Sequence, residues 1–380
     1  LRARQALGTD LQMMGRFSEA ETSLSEAEAL VEQVADLDEL EIANLLLTRA
    51  QVALSLAEYE LSMELGERAL EILTLASGNP LHWAQARRLL AVSLYELGRL
   101  DEAIEMDAES LEIARQRLGD EHPITRRMHN NYALRLHHSG QSRTALVLFE
   151  EGVARSRQIE NGGPELASQL NNLGLIQQGL DMLPEAEATF REALELQISI
   201  VGNDHPNPGY HSMNLARVLH DVGRFDEAEG HYLATLELWE RLLPPDHTLI
   251  GNAEIWYGGL LAETGRAAEG KPRIERGLAI RDADRGANDW QTAEARSWLG
   301  VALTELGDFE EAEKLLVEAY PPILEQRSKE WRRTRWALQR ILAFYDLVDN
   351  EPELERWRNE YRSQYGEPEA TDTERRWGIR

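Results

Sequence analysis

A short turn recurs along the 380-residue chain every 41 or 42 residues. It stands at Gly15-Arg16-Phe17, Ala57-Glu58-Tyr59, Gly98-Arg99-Leu100, Gly140-Gln141-Ser142, Asp181-Met182-Leu183, Gly223-Arg224-Phe225, Gly265-Arg266-Ala267 and Gly307-Asp308-Phe309. Seven positions upstream of each turn is a small residue: Gly8, Ala50, Ala91, Ala133, Gly174, Ala216, Gly258 and Gly300. Downstream, most repeats carry an alanine (Ala20, Ala103, Ala145, Ala186, Ala228 and Ala312), and four positions beyond that place there is usually a large apolar residue, among them Leu24, Phe149, Phe190, Tyr232, Ile274 and Leu316. Apolar spacing of three to four, without alternation, specifies amphipathic helices. Each unit is a helix–turn–helix pair whose turn residue adopts a left-handed cap. One such pair cannot hide its apolar face, but stacked pairs bury a continuous core.

This pattern resembles the tetratricopeptide repeat, in the long variant of kinesin light chains and many bacterial proteins. The segments between pairs resemble it too: Leu118-Gly119-Asp120-Glu121-His122-Pro123, Val201-Gly202-Asn203-Asp204-His205-Pro206 and Asp246-His247-Thr248. So do Asn130-Asn131-Tyr132-Ala133, Asn171-Asn172-Leu173-Gly174 and Met213-Asn214-Leu215-Ala216. The resemblance implies an all-α fold, a right-handed superhelical α-solenoid of about eight pairs over residues 1–330. Capping helices are expected over 331–365 and a polar tail over 366–380. Arg49, replacing a leucine in the second repeat, and Gly258-Gly259 with Pro272 in the seventh predict looser or kinked pairs there. Residues 297–358, through Trp298-Leu299-Gly300, Leu306 to Glu313, Tyr320, Phe344-Tyr345, Pro352 and Trp357-Arg358, also resemble the repeat regions that follow bacterial serine/threonine protein kinase domains. That second resemblance implies an alternative role as the regulatory region of a kinase whose catalytic domain lies outside this chain. The first residue, Leu1, suggests a piece of a longer protein.

The chain has no cysteine and a formal net charge of −27, negative in every successive fifty-residue window. The charge argues against nucleic acid and against an anionic membrane surface, and no apolar run is long enough to insert in a bilayer. A soluble, cytoplasmic protein is expected, or an extracytoplasmic one if an anchor lies outside this chain. The missing cysteines remove disulfides, thiolate metal sites and thiol catalysis. Of 40 basic residues only Lys271, Lys314 and Lys329 are lysine, a bias in keeping with a GC-rich bacterial genome. Gly265 to Lys271 has P-loop spacing, but Pro272 replaces the magnesium-binding hydroxyl residue and no strand precedes it. His122, His205 and His247 sit in separate linkers and read as turn residues rather than metal ligands. His137 and His138 diverge on a helix. No acid–base couple stands out, so no cofactor, no metal and no enzymatic activity is expected in this chain.

What remains is a surface. In the resembled family the first helix of each pair lines the concave face. Position six, two before the small residue, reads Asn131, Asn172, Asn214, Trp256 and Trp298. Neighbouring inward positions add Asn130, Asn171, Gln178, Arg88, Tyr95, Arg127, His137, Arg217 and His220. Each asparagine amide offers two donors and an acceptor, which suits the backbone of an extended peptide or, alternatively, fixes the packing of one helix on the next. The two tryptophans offer either an apolar pocket for an anchoring side chain or ordinary core. The expected function is a binding scaffold or sensor for a protein or peptide segment with basic flanks, drawn by the acidic surface. Trp331, Trp357 and Trp377 favour a further contact or self-association at the C-terminal end.

Overall fold

The computed structural model describes residues 1–14, 16–31, 38–75, 80–158, 163–285, 289–326 and 331–366. The Gly15 turn position and all of the expected tail beyond Gly366, Trp377 included, lie outside the described residues. Among these residues every regular element is a helix. The chain forms two compact units, Leu1–Ser139 and Gly140–Arg380.

The first unit holds α1 (Arg2–Met13), α2 (Phe17–Glu28), α3 (Glu39–Ser55), α4 (Tyr59–Leu75), α5 (Pro80–Glu96), α6 (Leu100–Leu118) and α7 (Pro123–His138). The second holds α8 (Ser142–Ser156), α9 (Gly163–Gly179), α10 (Leu183–Val201), α11 (Pro206–Asp221), α12 (Phe225–Leu242), α13 (Thr248–Glu263), α14 (Ala267–Arg285), α15 (Trp290–Leu306), α16 (Phe309–Gln326), α17 (Arg332–Leu347) and α18 (Glu351–Tyr365). Helices adjacent in each unit pack antiparallel, and the first helices of successive pairs also touch.

The recurring residues fix this packing. A Cβ placed on Gly174 would lie 2.7 Å from Phe190 Cε1, and one on Gly300 would lie 2.7 Å from Leu316 Cγ. Gly8 faces Leu24 and Gly258 faces Ile274 in the same way. The small residue of one helix thus receives the large residue sixteen positions later, as the sequence spacing requires. The turns are left-handed at Gly98, Gly140, Gly223, Gly265 and Gly307, and also at Ala57 (φ 59°) and Asp181 (φ 66°), which lack glycine's freedom. Arg16, Arg99, Arg224 and Arg266 stand before the second helix of their pairs and each pairs with a glutamate three residues on. His122, His205 and His247 cap the helices that follow them: each Nδ1 accepts from the backbone N–H two residues on, at 3.1–3.2 Å.

Two departures from the repeat turn out to be well seated. Arg49 bonds to Glu21 and Glu28 of α2, so the charge replacing leucine joins one pair to the next. The seventh repeat is not loosened by its glycines. A Cβ on Gly270 would lie 2.4 Å from the Gly258 carbonyl oxygen, and one on Gly277 would lie 2.5 Å from that of Gly251. The helices α13 and α14 meet backbone to backbone because glycine lines both faces, and α14 continues through Pro272 near its start. Trp357 is buried with Tyr320, Tyr345 and Tyr361 in the core of the second unit. No described helix is long and apolar enough to cross a membrane.

Glycine substitutions separate these roles. Gly270→Ala, which drives a methyl against backbone, should lower the melting temperature by several degrees, as a core overpacking of about 1–3 kcal/mol does. Ala57→Gly should raise it, by relieving about 1 kcal/mol of left-handed strain. Thermal unfolding followed by circular dichroism checks both signs.

Candidate functional site

In the first unit the candidates lie on α5 and α7. The Arg88 guanidinium donates to Gln51 Oε1. Burial, with nearby Arg127 adding to it, pushes that guanidinium below its ordinary value. Tyr95 is half-buried, its ring edge-on to His138 at 5.5 Å and under the Arg135 guanidinium at 4.7 Å. Arg135 is in turn held by Asp107 at 3.1 Å. Asn130, Asn131 and His137 are half-buried and Arg127 is exposed. The rings of His137 and His138 are 5.9 Å apart.

In the second unit the candidates on α9, α11, α13 and α15 are brought together, but by bonds to one another. Asn214 Nδ2 donates to Asn171 Oδ1 at 2.8 Å, and Arg217 Nη1 donates to Asn214 Oδ1 at 3.0 Å. Gln178 Nε2 donates to Asp221 Oδ2 at 2.6 Å. His220 Nε2 meets Glu263 Oε2 at 3.0 Å. Arg340 on α17 donates to Ser297 Oγ on α15 at 3.1 Å. Four of these links join side chains 43 residues apart, one position beyond the repeat: Asn171–Asn214, Gln178–Asp221, His220–Glu263 and Ser297–Arg340. The first helices are sewn to one another diagonally by polar side chains.

Aromatic rings fill the space between them. Trp298 is fully buried and Trp256 is 6% exposed, the two rings edge-on at 6.0 Å. His220 stacks on Trp298 at 5.7 Å. Arg217 and Arg333 lie over Trp256 at 4.8 and 4.3 Å, and Arg340 lies over Trp298 at 3.6 Å. Arg333 also pairs with Glu294 at 3.0 Å. At the start of α17, Arg332 bonds to Asp181 in the turn between α9 and α10. The inward-facing surface here is therefore filled rather than open, and Trp298 belongs to the core. Asn172 and Asn171, half-buried, and Arg217, partly exposed, mark its accessible side.

Charge is concentrated here, contrary to the neutral groove that asparagine, glutamine and tryptophan suggest. Burial pushes the Asp221 carboxyl up to about 7, opposed by the Gln178 hydrogen bond and by Arg217. Burial pushes Arg340 down to about 10, so it remains a cation at neutral pH, and lowers Arg217 likewise. Asp221, Glu263, Glu294, Arg333 and Arg340 were not named from sequence. Asp221 and Glu263 occupy the position after Gln178 and His220 in the next repeat, so the 43-residue offset is the signal that finds them. Away from this face, an open cavity of about 350 Å³ lies between α10, α11 and α12, lined by Leu194, Ile198, Pro208, Gly209, Leu238 and Arg241.

Antiparallel helix pairs at a fixed period, small residues facing large ones and inward polar side chains define a helical-repeat interaction scaffold. The chain is a tetratricopeptide-repeat protein: two tetratricopeptide repeat profiles match, one over residues 84–158 and the other over residues 166–207, 212–249 and 292–320. No curated protein matches the chain significantly. Among solved structures, a Rap protein complexed with Competence and Sporulation Factor is similar at a TM-score of 0.60 and 12% identity, over 96% of this chain and 99% of that one. The apo form of RapI is similar at 0.56 and 15%, over 74% and 97%. The apo form of the quorum sensor NprR from B. thuringiensis is similar at 0.55 and 11%, over 96% and 98%. At these identities the likeness is one of fold.

The raised Asp221 carboxyl has a consequence for stability. Between about pH 4 and 7 the folded chain keeps a proton that the unfolded chain has lost, so this group makes stability fall as pH rises through that window. His211, pushed down to about 4 by burial, acts in the opposite sense: the unfolded chain binds the proton below about 6.5, so stability rises from pH 4 to 6.5. Asp221→Asn should leave the His211 rise alone, and its melting temperature should climb relative to wild type between pH 4.5 and 6.5, at up to about 1.4 kcal/mol per unit. Parallel curves for the two proteins would contradict the assignment.

Proposed function

We propose that the chain is a non-catalytic binding module that takes up an extended segment of a partner protein or peptide along the inward residues of its first helices. The observation that carries this reading is the polar edge on α9 and α11. Half-buried Asn171 and Asn172 stand beside the Asn214–Arg217 link. Side-chain amides arranged along one edge can accept from and donate to an extended backbone. Two of the similar folds point the same way, one of them complexed with a factor and another a quorum sensor. In the first unit, Asn130, Asn131 and Arg127 on α7, with Arg88 and Tyr95 on α5, offer a second stretch of the same character. The surface of net charge −27 favours partners with basic flanks by steering their approach.

Among the asparagines, Asn214 serves two neighbours and is 9% exposed, so removing it should damage the fold. Asn172 is the better probe. A heptapeptide selected against the full chain from a random library should lose about tenfold or more in affinity to Asn172→Ala by titration calorimetry, with little change in melting temperature. Undiminished affinity would place the peptide elsewhere.

A further inference from the structure

The cavity between α10, α11 and α12 involves none of the inward residues, and its walls are fixed by the local sequence. Trp239 of α12 packs under the start of α11, where a Cβ on Gly209 would lie 2.4 Å from the indole nitrogen. That nitrogen donates to the Pro206 carbonyl oxygen at 2.9 Å, and the ring meets Tyr210 edge-on at 5.5 Å. The glycine and the bonded indole hold the start of α11 in place, so the space of about 350 Å³ beside Gly209 is preformed.

Its lining divides by polarity. Leu194, Ile198, Pro208 and Leu238 form apolar walls, and Leu242, one turn beyond Leu238, carries the apolar surface out to solvent. Thr235 stands among them, 1% exposed, and its Oγ1 is buried without a partner. The Ser212 hydroxyl, by contrast, is engaged by His231 at 3.0 Å. A helical threonine populates two side-chain rotamers, and with no bond holding this one its hydroxyl can turn into the cavity. At the rim, Arg241 is paired with Asp204 at 2.8 Å. Glu237 is exposed there and, among the described residues, has no basic partner.

These features select an occupant. Pockets that enclose whole ligands run from about 300 to 1,000 Å³ and bury most of the ligand surface. This one is small and open, so it suits a single side chain whose main chain continues across the rim. Apolar walls with one hydroxyl among them match tryptophan or tyrosine, which bury a ring and still need a hydrogen-bond partner. The uncompensated Glu237, on a chain of net charge −27, favours a basic residue next to that ring. We infer that the second unit carries a docking pocket between α10 and α12 for an aromatic anchor of a partner protein, Trp or Tyr, followed by Lys or Arg. The pocket lies away from the asparagine-bearing face, so the two sites stand or fall separately.

The probes are acetyl-Trp-Arg-amide, acetyl-Phe-Arg-amide and acetyl-Trp-Glu-amide, titrated into the full chain and followed through the methyl NMR signals of Leu194, Ile198 and Leu238. The Trp-Arg probe should shift those signals with a Kd of about 1 mM or below, and the other two should bind about threefold more weakly or worse. Ala234→Phe, which puts a large side chain at an exposed lining position, should abolish the shifts with the melting temperature unchanged. Thr235→Val should bring the Trp-Arg probe down to the affinity of Phe-Arg while leaving the fold at least as stable, because it removes an unpartnered buried hydroxyl. Glu237→Gln should remove the preference for Arg over Glu, and Asn172→Ala should change none of these values. Shifts that persist in Ala234→Phe, equal binding of the three probes, or no shift at about ten times the expected Kd would overturn the pocket.

Discussion

The close contact between a small residue on the first helix and a large one on the second fixes the register on which the rest depends. Gly174 under Phe190 and Gly300 under Leu316 leave no room for a methyl group, so the two helices can slide neither along nor around each other. Because that contact recurs every 41 or 42 residues, every first helix presents the same positions to its neighbours. The polar links between first helices follow from this register. They join position to next position, 43 residues apart, because successive helices are displaced as well as stacked.

Those links give the two faces of the array different physics. The outer surface is acidic and laced with arginine–glutamate pairs that are largely solvated and contribute little individually. The inner region of the second unit is dry enough to raise Asp221 to about 7 and to hold Arg340 at 2% exposure. Polar groups in such a setting must be satisfied or they cost stability. Most are satisfied by one another.

The sequence made the pair architecture legible because it depends on residue size at fixed spacing. Gly8 with Leu24 and Gly258 with Ile274 could be paired by counting alone. Left-handed turns at Ala57 and Asp181 were legible by position despite the residue type. What could not be read was how neighbouring repeats share their polar side chains. An asparagine ladder at constant position suggests residues waiting for a ligand, yet Asn214 is bound to Asn171 and Arg217, and Trp298 lies under Arg340. The seventh pair misled for a related reason. Glycines at 251, 258, 270 and 277 weaken a helix by propensity, but here they face each other across α13 and α14 and permit the closest approach.

A double-mutant cycle on Asn171 and Asn214 measures the diagonal link between first helices directly. Asn171→Ala, Asn214→Ala and the double variant would each be unfolded in urea against wild type. The two substitutions should be coupled by about 1 kcal/mol, the net worth of a part-buried amide hydrogen bond. Additive losses, with a coupling near zero, would contradict a register in which each first helix is bonded to the next one position out of step.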